Sequence, residues 1–243
     1  MNPWEAAELK FDASTFSGLV RVFPLPNLVL YPHVMQPLHI FESRYREMLE
    51  DALAGDQLIT MAVLEPGWET DYESRPPIAD YACLGKVVAH HKLADGRYNV
   101  LLMGLQRVQV LKELDPLRSF RQARVELVDD CYDFDSTCER KKLQQQLLAA
   151  FERQLPRSCE VSEQLEAIIS GDLPLGMLTD LAAYALPLAS ETKLQLLAES
   201  SVRRRAEVLL SCVQHLAEAT PAAAKSIAAA KSKLVFPPAF SDN

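Results

Sequence analysis

Apolar runs broken by proline, then a switch to helical spacing, make residues 19–55 the stretch around which the rest of the chain is organised. Residues 19–23 read as a β-type run that Pro24 and Pro26 are expected to close, because proline supplies no ladder donor. A second apolar run, 27–31, stops at Pro32, and a third, 34–41, leads into a new period. Phe41, Tyr45, Met48, Leu49, Ala52 and Leu53 fall at i, i+4, i+7, i+8, i+11 and i+12, one apolar stripe of a helix. Glu42 stands at its positive N-terminal end, and Gly55 is placed to supply a left-handed C-terminal cap.

Beyond that helix, residues 57–64 are apolar on both faces, as a covered central strand would be. Residues 65–80 are proline-rich and acidic and predict a long exposed loop, the kind of segment that often carries function. Strands are expected at 84–91, 97–105, 106–114 and 120–128. Asp95-Gly96 is the hairpin signal between the first two, and Gly104 marks a bulge or bend. Short strands with one inserted helix, in this order, suggest a small barrel-like sheet.

The pattern turns helical at Ser136, where Ser136 and Glu139 have capping-box spacing. Leu143, Leu147, Phe151 and Leu155 give a first helix, and Val161, Leu165, Ile168 and Ile169 a shorter second one ending at Gly171. Asp172 is placed to cap a third, carrying Leu178, Leu181, Ala182 and Ala185. Ser190 starts a fourth, with Leu194 and Leu197, and Ser201 caps the last, with Val202, Leu209, Val213 and Leu216 inward. The reading is therefore α+β: an N-terminal arm (1–16), a β lobe (17–130), a helical-bundle lobe (134–217) and a disordered Ala/Lys- and Pro-rich tail (218–243).

Charge and chemistry narrow the function. A net charge of −8 disfavours nucleic acid as a partner, which usually meets a basic face. No apolar window is long enough to span a membrane, and the acidic start lacks the apolar core of a secretory signal, so the expected location is cytoplasmic. Five cysteines without a CxxC spacing argue against a disulfide framework and a zinc site. His90 and His91 are neighbours on a strand and point to opposite faces, so they do not make a two-ligand site. Arg203, Arg204 and Arg205 read as a solvated face of the last helix. No phosphate-binding loop and no nucleophile–base constellation is evident, so no catalytic residue, metal or cofactor is expected.

The run FPLPNLVLYPHVMQPLHIFESRYREMLEDAL resembles the signature of the Lon protease N-terminal (substrate-binding) domain family. The block DGRYNVLLMGLQRVQV and the block LPLASETKLQLLAESSVRRRAEVLL resemble the same family's later strands and closing helices. The resemblance implies a PUA-like β-barrel lobe followed by an all-α lobe, in a stand-alone form without ATPase and peptidase modules. It also implies a non-enzymatic module that binds unfolded or partly folded polypeptides in quality control, with a protease or ATPase as a further partner. An RNA-binding or small-ligand PUA-like protein is the alternative. Glu42, Arg44, Tyr45 and Arg107 match polar motif positions and are expected to be structural. In the proline-stiffened loop, Leu28, Leu30 and Val34 are expected in the core. Tyr31, Pro32 and Met35 are expected at the peptide-binding surface, with Tyr31 and Met35 as exposed anchors and Trp68 as a second wall.

Overall fold

The computed structural model describes residues 11–70, 75–154 and 173–218, which divide into two compact units between Asp129 and Asp130. The expected N-terminal arm, apart from residues 11–16, the expected helix at 161–169 and the tail beyond 218 lie outside the described residues, as do Cys159 and the capping position Asp172.

The first unit is a mixed six-stranded sheet with one helix inserted after its second strand. The strands are β1 (Leu19–Leu25), β2 (Met35–Ile40), β3 (Leu58–Val63), β4 (Tyr81–Lys92), β5 (Tyr98–Glu113) and β6 (Arg121–Val128), and the helix is α1 (Ser43–Leu53). β1 pairs in parallel with β3, and every other pairing is antiparallel. The hydrogen-bonded order runs β2-β5-β4-β3-β1-β6 and then returns from β6 to β5. The length of β5 makes that return possible. Its first half, Tyr98 to Met103, pairs with β2, and its second half, Arg107 to Glu113, pairs with β6. All five strands of the ring contribute to one apolar cluster: Val20 and Val22 from β1, Ala62 from β3, Leu84 from β4, Val108 from β5 and Val125 from β6.

Two expected strands, 97–105 and 106–114, are one continuous strand, because Gly104 introduces a bulge and does not end the pairing: Leu84 faces Gln106 while Gly85 faces Gly104. β1 likewise continues through Pro24 to Leu25. Pairing with β6 stops at Val22, so Pro24 has a strand on one side only and its missing N–H costs no ladder bond there. The hairpin at Asp95-Gly96 is present, with Gly96 at φ 85° and its N–H donated to Leu93 O at 3.0 Å.

The helix stripe holds for Tyr45, Met48, Leu49 and Ala52, which are buried. Two of its expected details do not. Phe41 precedes the helix and is 46% exposed, since the extended spacing of β2 runs on to it. The left-handed residue after the helix is Gln57, at φ 62°, whose N–H reaches Ala52 O at 2.9 Å, and not Gly55. Arg21 closes that corner by donating to Asp51 and Asp56, both at 2.6 Å, which ties β1 to the helix end.

A second tie has a pH consequence. The Tyr98 hydroxyl donates to Glu50 Oε1 at 2.7 Å, and Lys92 Nζ donates to the same oxygen at 3.2 Å. The Tyr98 bond first, and then Lys92, hold the Glu50 carboxyl below its ordinary value. A depressed native pKa contributes stability above the ordinary glutamate range, and that contribution is lost as pH falls through the native value. Tyr98→Phe is therefore expected to raise the pH at which acid unfolding begins, by a small amount because the site is near the surface. An acid titration followed by circular dichroism checks this; identical acid midpoints would rule it out.

The second unit contains, among the described residues, α2 (Thr137–Glu152), α3 (Leu175–Ala185), α4 (Ser190–Ala198) and α5 (Val202–Glu218). α5 packs on α2 and α3, with Val202, Leu209 and Val213 buried. Ser136 Oγ accepts the Glu139 N–H at 3.2 Å, while Glu139 reaches back to the Asp135 N–H, one residue earlier than a strict capping box. Ser201 Oγ accepts the Arg204 N–H at 3.2 Å and caps α5 as its position suggests. The arginine triplet is not a uniform solvated face. Arg204 is exposed, whereas Arg205 is 1% exposed and donates to Asp130 at 2.7 Å with Asp180 at 3.8 Å. No helix among the described residues is long and apolar enough to cross a membrane.

Candidate functional site

The motif residues at the start of α1 hold the corner together. Glu42 occupies the N-cap position but makes no side-chain cap bond; its carboxylate instead accepts Arg44 Nε at 3.0 Å. The Arg44 guanidinium lies 4.8 Å from the centre of the Tyr45 ring, and that ring packs on Phe23 at 4.5 Å, joining α1 to β1. Arg107 is buried in β5 between Cys83 of β4 and Val128 of β6.

The proline loop is arranged differently from expectation. Tyr31 is fully buried (0% exposed) and Pro32 is buried with it, so neither is an exposed anchor. The chain around them is pressed against the bulge in β5: His33 donates to Gly104 O and Gly104 donates to Val34 O, both at 2.8 Å. His33, at φ 65°, and Asn27, at φ 58°, are the left-handed turns that let the loop fold inward. Leu30 and Val34 are core residues; Leu28 is half-buried. Trp68 opens a short 3-10 turn, Trp68–Thr70, and packs half-buried against the core cluster.

Met35 is the one loop anchor that keeps partial exposure, and it begins a row. Along β2, Gln36, Leu38 and Ile40 are buried, while Met35, Pro37 and His39 are half-exposed on the other face. Phe41 continues this alternation just beyond the strand, its ring stacked on His39 at 6.2 Å between centres. The register extends the face across two more strands. Pro37 lies opposite Leu101 of β5, which lies opposite Ala89 of β4; His39 lies opposite Asn99, which lies opposite His91. Asn99 Oδ1 is 2.8 Å from His39 Nδ1, which orients the imidazole. The result is a shallow apolar row of Met35, Pro37, Phe41 and Leu101 bordered by two histidines. Among the described residues no group of three His, Cys, Asp or Glu side chains has the arrangement of a metal site.

The profile of the ATP-dependent protease La (LON) substrate-binding domain matches residues 20–215, spanning both units. The chain belongs to the Lon substrate-binding domain family. It is 26% identical over 201 residues to a Lon protease of Bacillus thuringiensis, covering 83% of this chain and 25% of that protein. It is also 28% identical over 190 residues to a Lon protease of Azospirillum brasilense, covering 78% of this chain and 23% of that protein. The chain thus spans about a quarter of the length of the curated Lon relatives it matches, and the matched part is the substrate-binding domain, not the ATPase or protease part. The Lon fold recurs in the N-terminal domain of a Mycobacterium avium complex Lon protease, with a TM-score of 0.61 at 20% identity, covering 81% of this chain and 98% of that one. A Lon N-terminal domain protein from Xanthomonas campestris gives a TM-score of 0.59 at 21% identity, covering 79% and 97%.

Proposed function

We propose that this chain is a non-catalytic polypeptide-binding module and that it binds unfolded or partly folded chains on the outer face of β2, β5 and β4. The observation that carries the reading is the half-exposed row Met35, Pro37, Phe41 and Leu101, an apolar surface on a rigid sheet. Such a surface has little ordering cost of its own, and methionine and phenylalanine adapt to varied apolar side chains. The matched family is described by substrate binding, which supports the same assignment. Handing bound chains to a protease or ATPase partner in the cytoplasm belongs to this proposal. So does the reading of the ring of pairings as a PUA-like barrel, supported by the return of the order to β5. The RNA-binding alternative is disfavoured because the face is apolar and histidine-bordered and carries no arginine row.

The test is binding of a reduced, carboxymethylated model protein, followed by fluorescence anisotropy. Phe41→Ser combined with Met35→Ala is expected to weaken binding by about 1–3 kcal/mol, the range of interface hot spots, with circular dichroism unchanged. Undiminished binding by the folded double variant would exclude this face, and no binding by the wild type would exclude the polypeptide reading.

A further inference from the structure

A second feature of the first unit lies at the start of α1: a cleft of about 320 Å³ lined by four arginines, Arg44, Arg75, Arg118 and Arg121. They come from the start of α1, the segment before β4, the β5–β6 connection and the start of β6, so only the fold assembles them. Their charges are not equally satisfied. Arg44 pairs with Glu42, and Arg121 grips both oxygens of Glu113 while donating to Pro76 O at 2.8 Å. Arg75 donates to the Leu114 carbonyl at 2.9 Å and has no carboxylate partner among the described residues. Arg118 lies 3.6 Å from Asp51 Oδ1, beyond hydrogen-bond distance, in a carboxylate whose other oxygen is engaged by Arg21 at 2.6 Å. Two guanidinium forks therefore line one cleft with cationic capacity to spare, in a chain whose net charge is −8. Guanidinium favours planar, bidentate oxyanion partners, and Glu113 on Arg121, one of the lining arginines, shows carboxylate bound in that way beside the cleft.

The segment that carries Arg118 indicates what bears the oxyanion. Leu117, between the lining residues Pro116 and Arg118, is 86% exposed, the most exposed large apolar side chain among the described residues. An isolated phosphate has no use for that neighbour, whereas a polypeptide with a carboxylate beside an apolar side chain would meet both. We infer that the Arg75–Arg118 cleft is a carboxylate-binding subsite for acidic–apolar segments of the polypeptides this module binds, with Leu117 as its apolar lip. This rests on the polypeptide reading and sharpens it to a substrate class.

The experiment uses the full chain and two fluorescent peptides, one with apolar residues followed by glutamates and a twin with glutamines in their place. Wild type is expected to bind the glutamate peptide about tenfold more tightly than the twin, roughly the effect of one charge-assisted pair, and the preference should shrink in high salt. Arg75→Gln with Arg118→Gln should abolish the preference. Arg118→Gln alone, at a side chain that is half exposed, should reduce it without risk to folding. Leu117→Ser should weaken both peptides. Acetate and inorganic phosphate are titrated as competitors. Competition by acetate at the preference supports the subsite, whereas tight phosphate competition with no glutamate preference makes the cleft a free-phosphate site and overturns it. Equal binding of both peptides by wild type also overturns the subsite while leaving the polypeptide reading intact. Binding of neither peptide defeats that reading, and the subsite with it.

Discussion

Arg205→Met is expected to destabilise the helical unit by about 3–5 kcal/mol, the cost of leaving a buried charge without its partner. The guanidinium is 1% exposed and stands between Asp130, at 2.7 Å, and Asp180, which is itself fully buried, at 3.8 Å. Methionine preserves much of the volume, so the loss isolates the charge. Gly176 packs closely on the cluster: a Cβ there would fall 2.4 Å from an Asp130 oxygen and 2.7 Å from the Tyr132 hydroxyl. Replacing the acids as well, with Asp130→Asn and Asp180→Asn, is expected to recover part of the stability, because the uncompensated negative charge is then gone. Urea unfolding monitored by circular dichroism measures both variants against the wild type. A loss below about 1 kcal/mol for Arg205→Met would mean that the cluster is effectively solvated, as surface pairs are.

Gly104→Ala should be the most damaging single methyl in the first unit. A Cβ there would fall 2.0 Å from the Tyr31 carbonyl oxygen and 2.8 Å from its carbonyl carbon. The obstacle is backbone, and it is held in place by the two 2.8 Å bonds between Gly104 and the His33–Val34 segment. Relief requires lifting the loop that buries Tyr31, Leu30 and Val34, so a loss of about 3 kcal/mol or more is expected, at the upper end for overpacking. Two other glycines serve as controls. Gly85→Ala has as its nearest neighbour the buried Leu102 side chain, at 2.8 Å and not backbone, and should cost less than Gly104→Ala. Gly55→Ala has its nearest neighbour at 3.5 Å and should be close to neutral. Thermal melts of the three variants check the order; a Gly104→Ala protein as stable as Gly55→Ala would refute the close-approach argument.

The same contact explains why the proposed binding surface lies on the outer row of β2. With Tyr31 turned inward beneath Gly104, the loop cannot present an aromatic anchor, and the apolar exposure passes to the outer row of β2. Proline at 37 suits that row. It removes a donor from a strand that, among the described residues, pairs with β5 alone, which discourages uncontrolled strand addition while leaving side chains available.

Local periodicity was sufficient for the α+β character, the inserted helix and its buried stripe, the Asp95-Gly96 hairpin, the bulge at Gly104 and the capping by Ser136 and Ser201, while the family was legible only through the resemblance of whole motif runs. Each rests on residues within about one turn or one hairpin of each other, where spacing alone dictates which side chains share a face. Phe41 shows where this stops. It satisfies both the helical stripe and the extended alternation, and only the position at which α1 begins decides that it points outward. Tyr31 reads from the sequence as an exposed anchor and is buried, because the residue that makes room for it is a glycine more than seventy positions away. Arg205 reads as surface in a run of three arginines, and its burial depends on Asp130 and Asp180, both distant in sequence. The arginine cleft carries no local signal at all, since its four members come from segments that meet only when the long strand β5 pairs with both β4 and β6. Sequence determined which segments are strands and helices, because that is a short-range property of the backbone and its periodicity. Tertiary structure alone decided which apolar groups stay exposed and which charges find partners, because burial is a property of what the distant parts of the chain bring to the same place.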